Sequence, residues 1–235
     1  MSTDTVPQGP SSTGRRPIVA IDGPAGAGKS TIARHLALRF GLLNLETGAM
    51  YRAFALKALR NAVSLDDEPA LVALTADSTI RLAQAEGGNR VLLDGEDVTA
   101  AVREPEVTQA ASRVSVNPPV RAWMVALQQQ LGANGGIVME GRDIGTVVFP
   151  QADVKIFLDA DAEVRGLRRF DQLGRAPAVG AEQVIRDLRE RDERDRNRAD
   201  SPLRPAADAI LLNSTNLTLD ETVQAAEAIV FSRIG

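Results

Sequence analysis

The chain has 235 residues, of which 44% are hydrophobic and 25% are charged, a composition that can bury the core of one large domain or two small ones. Its net charge of −4 argues against a protein that binds nucleic acid through bulk electrostatic attraction, and the lack of cysteine excludes disulfides and thiolate metal sites. Because no apolar run approaches the roughly 18 residues of a membrane span, we expect a cytoplasmic protein that binds neither nucleic acid nor a membrane.

The chain begins with a segment of low hydrophobicity. Residues 1–16 are rich in Ser, Thr, Pro and Gly, which predicts a disordered tail and not a secretory signal. Residues 17–21, PIVAI, then form a β-branched run that is typical of a buried parallel strand. A glycine-rich turn follows, and residues 30–40 have the spacing of a helix that ends at Gly41.

The middle of the chain combines two patterns. Residues 49–61 predict a helix, whereas residues 80–98 contain extended pieces about Gly87 and Gly88 that predict small antiparallel hairpins. Because these hairpins interrupt an alternation of strands and helices, we interpret them as an insertion. Two further helices are predicted over residues 106–115 and 118–131.

Three more short apolar runs follow, at residues 137–139, 154–158 and 209–212, and each predicts a strand. Strands that alternate with helices indicate a mostly parallel sheet that is covered on both faces. We therefore predict an α/β fold around a central parallel sheet of five strands, four of which these patterns locate.

The stretch directly after the first strand, GPAGAGKST, fits the pattern G-x-x-x-x-G-K-[ST]. Its glycines allow successive backbone N–H groups to converge on phosphate oxygens, and the helix that follows offers free N–H donors. The lysine supplies a positive charge to the β- and γ-phosphates, and the serine hydroxyl can ligate Mg²⁺. The sequence therefore predicts a nucleoside triphosphate site at Gly23, Pro24, Ala25, Gly26, Ala27, Gly28, Lys29, Ser30 and Thr31, with Ser30 as the metal ligand.

Three classes of protein remain possible with such a loop: small-molecule kinases, GTP-dependent switches and motor-type ATPases. A switch needs an Asn-Lys-x-Asp guanine reader, and the nearest match, residues 197–200, has arginine in place of lysine. A motor ATPase usually ends a later strand with two acidic residues, whereas residues 137–140 end with one. These differences favour a small kinase, and a non-catalytic nucleotide-binding module would leave the many arginines described below without a purpose.

Five stretches, in order along the chain, resemble bacterial cytidylate kinases of the nucleoside monophosphate kinase family. They are GPAGAGKST, ETGAMYR at 46–52, EGRDIGTVVFP at 140–150, KIFLDA at 155–160 and RDERDRNR at 191–198. The combination of GRDIGTVV with RDRNR is highly specific to that family, whereas the phosphate loop is shared much more widely.

The resemblance implies a P-loop NTPase fold that transfers the γ-phosphoryl group of ATP, with Mg²⁺, to CMP or dCMP. It implies one kinase domain over residues 17–235, with a monophosphate-binding insertion at about 48–118 and a short lid at about 166–180. We expect a monomer. Another P-loop kinase with a small acceptor, such as a sugar acid, is the alternative.

Phosphoryl transfer depends mainly on aligning the two substrates and compensating their negative charge. The acceptor site therefore needs arginines, because one guanidinium group can donate two hydrogen bonds to a phosphate at once. The candidate catalytic residues are Lys29, Arg142, Arg191 and Arg198, and Arg52 is a further candidate for the acceptor phosphate. Cytosine offers a 4-amino donor where uracil offers an oxygen acceptor, so a carboxylate can distinguish the two bases.

The resemblance assigns roles to further residues. It implies that Asp143 reads the cytosine, with Ser112 and Arg121 completing the base pocket, and that Thr47 contacts the acceptor phosphate. It also implies that Arg191 and Asp195 meet the ribose and that Arg198 meets phosphate. Glu140 ends its strand where related kinases often place aspartate, and we expect it to orient Mg²⁺ through water. The remaining candidates, His35, Tyr51 and Trp123, are interpreted as structural.

The charged run RERDERDRNR, at residues 189–198, lies on a helix predicted to begin near Ala181. At about 100° per residue, its side chains divide between two faces. The inward face is predicted to carry Val184, Leu188, Arg191, Asp195 and Arg198. The outward face is predicted to carry Arg189, Glu190, Glu193, Arg196 and Asn197, with Asp192 and Arg194 flanking the inward stripe.

Overall fold

The computed structural model describes residues 15–85, 88–172 and 180–234, with only the backbone at Gln84. Nearly all of the predicted tail therefore lies outside the described residues, as do Gly87 and residues 173–179 of the predicted lid. The first part of the predicted lid, residues 166–172, belongs to a regular helix. Within the described ranges, no helix is both long enough and apolar enough to cross a membrane.

A five-stranded parallel sheet forms the centre of the molecule, as predicted. Its strand order is β2-β6-β1-β7-β8, so β1 is the central strand and is buried along its whole length. The strand that the sequence patterns did not locate is β2, a four-residue edge strand with the alternating sequence LNLE. The five strands are β1 (Ile18–Asp22), β2 (Leu43–Glu46), β6 (Ile137–Gly141), β7 (Val154–Asp159) and β8 (Ile210–Asn213).

Helices cover both faces of this sheet. Alternate side chains of β1 point to opposite faces, and they belong to two different hydrophobic clusters: Val19 packs with Leu36 and Val230, whereas Ile18 packs with Ile144 and Val148. The helices are α1 (Lys29–Phe40), α2 (Thr47–Arg60), α3 (Glu68–Ala76), α4 (Pro105–Val114), α5 (Pro118–Gly132), α6 (Ala162–Gln172), α7 (Ala181–Asn197) and α8 (Leu219–Ile234). Short helical turns lie at Ala101–Arg103 and Ile144–Val148, the second of the π type.

The predicted insertion is a separate antiparallel sheet of three short strands, β3 (Ile80–Ala85), β4 (Gly88–Leu93) and β5 (Glu96–Asp97). Apolar side chains from this sheet join the largest hydrophobic cluster, which α2, α4 and α5 share. Trp123 is part of that cluster and tilts against buried Phe54 with the ring centroids 5.3 Å apart, so its interpretation as a core residue is confirmed.

The parallel arrangement brings separate sequence motifs to one edge of the sheet. Asp22 at the end of β1 is in register with Gly141 at the end of β6, and Glu140 is in register with Glu46 at the end of β2. The carboxyl ends of parallel strands form the usual ligand-binding edge of such sheets. The glycine-rich loop, the ETGAMYR segment and the GRDIG segment therefore begin side by side.

Candidate active site

The glycine-rich loop joins β1 to α1 in the way the sequence predicts. Gly23 and Gly28 have φ angles of 147° and 97°, which side chains rarely adopt. A Cβ atom at Gly23 would lie 1.9 Å from the backbone oxygen of Leu158, whereas a Cβ at Gly28 would meet no atom within 4 Å. The loop is thus packed closely against β7 at its start and is open at the first turn of α1, where the free N–H groups lie.

Lys29 is the basic residue of this loop, and its side chain is almost completely buried. Its Nζ donates a hydrogen bond to the backbone oxygen of Pro24 at 2.6 Å. Burial, together with repulsion from Arg142 and Arg191, lowers the pKa of Lys29 to about 7, although Glu140 and Asp22 act to raise it. An anion at this loop would therefore stabilise the charged ammonium form.

Ser30, the predicted metal ligand, is in contact with Glu140, which was predicted to orient Mg²⁺ through water. The Ser30 Oγ donates to Glu140 Oε1 at 2.9 Å, and Glu140 is buried at the end of β6. Across the three described ranges, no group of three or more His, Cys, Asp or Glu side chains could hold a metal ion alone. Mg²⁺ is usually held by one or two protein oxygens together with substrate phosphates and water, so this pair fits an Mg²⁺ that arrives with a nucleotide.

The start of α2 supplies Thr47 and Arg52 to the same edge. The Thr47 Oγ1 donates to the backbone oxygen of Glu140 at 2.7 Å, which fixes α2 against β6. The Nε atom of Arg52 is buried and has no hydrogen-bond partner among the described residues. Burial lowers the pKa of Arg52, although Glu140 and Glu46 act to raise it. Arg52 is thus a desolvated cation with free donor capacity.

Arg121 and Asp143 form a buried ion pair between α5 and the segment after β6. Arg121 also donates from Nη1 to the backbone oxygen of Ser115 at 3.0 Å. Burial alone would lower the pKa of Arg121, but its interactions with Tyr51 and Asp143 outweigh burial and raise this pKa. Ser112, on the preceding helix, is buried and its hydroxyl has no partner among the described residues.

Asp195 links α7 to the segment after β6. Its carboxylate accepts from Arg142 Nε at 2.9 Å and lies 3.7 Å from Arg198 Nη1. Burial alone would raise the pKa of Asp195, but Arg142, Arg191 and Arg198 outweigh it and lower this pKa. Arg198 also approaches Asp143, with Nη2 3.9 Å from Oδ1.

Two of these arginines are not fully compensated. Burial, followed by repulsion from Arg142, lowers the pKa of Arg191 to about 10, and its Nε has no partner within the described part of the chain. Burial and repulsion from Arg121 lower the pKa of Arg198, and its Nη2 also lacks a hydrogen-bond acceptor there. The free protein therefore holds cations for which an added anion is favourable.

The two-faced interpretation of α7 is confirmed with one addition. The inward residues Val184, Leu188, Asp195 and Arg198 are buried and Arg191 is partly buried, whereas all five predicted outward residues are exposed. Asp192, which was predicted to flank the inward stripe, is also buried and pairs with Arg165 Nη2 at 2.7 Å. A partner on another helix determined this position, and the helical wheel carries no information about it.

Arg165 itself was not among the predicted site residues. Its guanidinium, buried on α6, donates to the backbone oxygen of Ala160 at 2.7 Å and to that of Ala25, in the phosphate loop, at 2.9 Å. Together with the Asp192 pair, these bonds join the phosphate loop to the helix that carries the acceptor-side arginines. The only sequence signal was the cluster of arginines at 165, 168 and 169, which does not indicate which one is buried.

Asp22 is a second residue that the sequence analysis did not select. Its carboxylate, 4% exposed, accepts from the backbone N–H groups of Ile144 at 2.8 Å and of Gly145 at 2.7 Å. Burial raises the pKa of Asp22 to about 6, although the two N–H donors lower it. A carboxylate at the end of a buried apolar strand, directly before the phosphate loop, was the available signal.

The aromatic and histidine candidates behave as structural residues, with one addition. Tyr51 packs against the largest hydrophobic cluster, and the Arg121 guanidinium lies 5.8 Å from its ring centroid, so the ring also borders the Arg121–Asp143 pair. His35 pairs with Glu227 of α8 on the outside of the sheet. It takes no part in the site.

Comparison with known proteins gives a consistent result over nearly the whole chain. A family model described as "Cytidylate kinase" matches residues 19–231. Proteins named cytidylate kinase from Syntrophotalea carbinolica and Solibacter usitatus are 47% and 50% identical to this chain, over 93% and 94% of it and 94% of each relative. A cytidylate kinase from Pelotomaculum thermopropionicum is 50% identical over 88% of this chain and 93% of its own length.

The different burial of Arg196, on the outward face of α7, and Arg198, its C-cap, predicts unequal effects of two arginine substitutions. Arg198→Ala removes a buried cation that faces Asp143 and Asp195, and we expect kcat/KM for a phosphorylated acceptor to fall by about a hundredfold or more. Arg196→Ala removes an exposed side chain and should change kcat/KM by less than about twofold. Steady-state assays of both variants check this, and equal losses would contradict the assignment of the faces.

We also expect Asp22 to make the free energy of unfolding depend on pH. Its pKa of about 6 lies above the unfolded value of 3.8, so the folded protein binds more protons between these two values. The stability from this group is therefore present below about pH 4 and is lost as the pH rises through about 6. We expect the difference in unfolding free energy between the wild type and Asp22→Asn to fall by about 2–3 kcal/mol across this window. Urea unfolding at several pH values measures it, and parallel curves would contradict the assignment.

Proposed function

The chain belongs to the cytidylate kinase family, and from that premise we propose that it transfers the γ-phosphoryl group of MgATP to CMP or dCMP, giving ADP and the nucleoside diphosphate. The observation that carries the proposal is the buried Arg121–Asp143 pair, which lies beside under-compensated arginines at the edge of the sheet that also holds the phosphate loop. A base reader, a phosphate site and a triphosphate loop thus share one edge.

The donor side is proposed to use the glycine-rich loop and Lys29. Backbone N–H groups between Gly23 and Thr31, to which Pro24 contributes none, would bind the phosphates of ATP. The Lys29 ammonium would exchange its bond to the Pro24 oxygen for phosphate oxygens. Ser30 would hold Mg²⁺ directly, with Glu140 acting through water. When bound, Mg²⁺ supplies neutralisation of phosphate charge and alignment of the phosphate groups.

On the acceptor side, Asp143 is proposed to accept a hydrogen bond from the 4-amino group of cytosine, whereas the O4 of uracil would be repelled. Arg121 holds the Asp143 carboxylate in position, and Ser112, whose hydroxyl has no partner among the described residues, would face the same pocket. Arg191 and Asp195 would meet the ribose. The acceptor phosphate would bind Thr47, Arg52, Arg142 and Arg198.

No general base is required, because the acceptor phosphate is already an anionic nucleophile. One of its oxygens forms the new bond to the γ-phosphorus while the bond from that phosphorus to the β–γ bridging oxygen breaks, and ADP leaves. The residues contribute by holding the two anions in line and by offsetting their mutual repulsion. Arg142, Arg191 and Arg198 are proposed as catalytic on this basis, together with Lys29.

The remaining expectations rest on the sequence. We propose one kinase domain over residues 17–235, in which the antiparallel sheet belongs to the monophosphate-binding insertion at about 48–118. The lid at about 166–180, the monomeric state and the cytoplasmic location stay predictions. A sugar acid as the acceptor is not favoured, because the family match extends over residues 19–231.

The proposed acceptor preference can be tested with purified protein. ADP release, coupled to an indicator reaction, should be fastest with CMP or dCMP and slower with UMP and AMP by about tenfold or more in kcat/KM. The expected order follows from the carboxylate of Asp143 facing the 4-position of the base. Fastest turnover with UMP or AMP would contradict the proposed function.

A further inference from the structure

Asp143 occupies an unusual position for a residue that reads a base. It is the N-cap of the helical turn Ile144–Val148, and aspartate is among the residues that usually cap such turns with their own carboxylate. Here the Asp143 side chain makes no capping hydrogen bond. It points instead to Arg121 and lies 3.9 Å from Arg198.

Another residue satisfies the donors that Asp143 leaves free. The N–H groups of Ile144 and Gly145 donate to the two carboxylate oxygens of Asp22, at 2.8 and 2.7 Å. Asp22 is distant in sequence and reaches this turn because β1 and β6 are adjacent, with Asp22 and Gly141 in register. The turn is therefore capped from the neighbouring strand.

We propose that Asp22 is a positioning residue for base recognition. Because Asp22 accepts the hydrogen bonds at the start of the turn after β6, the Asp143 carboxylate stays free to contact the acceptor base. The proposal rests on the proposed function, since it concerns how the cytosine reader is held. Without Asp22, two buried N–H groups would need an acceptor. The Asp143 carboxylate is the nearest one in sequence, so it would be drawn away from Arg121.

The surroundings of Asp22 support a positioning role over a direct chemical one. Each carboxylate oxygen accepts one backbone N–H of the turn, so the carboxylate is held on the turn after β6 and not on the glycine-rich loop. The other charged groups near it are Lys29 and Asp143. Gly145 packs closely as well, because a Cβ there would lie 3.4 Å from Asp22 Oδ2 and 3.2 Å from Lys155 Cδ.

The central test is Asp22→Asn, which keeps the shape of the side chain but turns an N–H donor toward one of the two backbone N–H groups. We expect the KM for CMP to rise by about ten- to a hundredfold, as for the loss of a buried hydrogen bond to a charged group. The KM for ATP should change by less than about threefold. The ratio of kcat/KM for CMP to that for UMP should fall.

Asp153→Asn is the matched control. Asp153 accepts the backbone N–H of Ile18 at 2.7 Å, at the opposite end of the same strand, so the substitution alters the same kind of bond away from the site. This variant should keep the wild-type KM values and the wild-type CMP-to-UMP ratio.

A second experiment asks whether Asp22 acts through Asp143. In an Asp143→Asn background, adding Asp22→Asn should lower the CMP-to-UMP ratio of kcat/KM no further, because the carboxylate that contacts the base is already absent. If Asp22→Asn does not fold, Gly145→Ala is the second variant: its Cβ crowds the same turn against Lys155 Cδ and Asp22 Oδ2, and it should lower the ratio in the wild-type background only.

Three results would overturn the proposal: an unchanged ratio in folded Asp22→Asn, a further drop in the double variant, or a loss confined to kcat. The last would assign Asp22 to the chemical step. A wild-type enzyme that prefers another acceptor would instead refute the proposed function, so the two failures are distinguishable.

Discussion

Cations held away from water with an incomplete set of partners are the physical constraint on which this site depends. Burial lowers the pKa values of Lys29, Arg52, Arg191 and Arg198, and each of the three arginines keeps one buried donor atom without an acceptor among the described residues. Such an arrangement costs stability in the free protein. It becomes favourable when polyphosphate anions bind, and that difference is the source of both affinity and alignment.

The fold makes this arrangement possible because specific carboxylates pair with the arginines and partly neutralise their charge. Asp195 restrains Arg142 and Arg198, and Asp143 restrains Arg121, so the cations stay fixed in position before an anion arrives. In addition, Arg165 joins α7 to the phosphate loop, because it pairs with Asp192 and donates a hydrogen bond to the backbone oxygen of Ala25. Each of these three carboxylates therefore holds a different set of arginines in place.

The sequence predicted what local patterns determine. The buried strand before the phosphate loop, the antiparallel insertion and the two faces of the charged helix all follow from periodicity and turn residues, and the structure has them. The edge strand Leu43–Glu46 was missed because four alternating residues give a weak signal. The roles of Asp22 and Asp192 depend on Gly145 and Arg165, which are distant in sequence, and no single-sequence pattern records such pairs.

The most direct test of this account compares the stabilisation of the free protein by CMP and by cytidine, which lacks the phosphate. If the phosphate supplies the missing partner of the buried arginines, CMP at roughly a hundred times its dissociation constant should raise Tm by about 5–10 °C. Cytidine at the same concentration should raise it by less than about 1 °C. Equal shifts with the two ligands would show that the nucleoside without its phosphate stabilises the site, and would contradict the account.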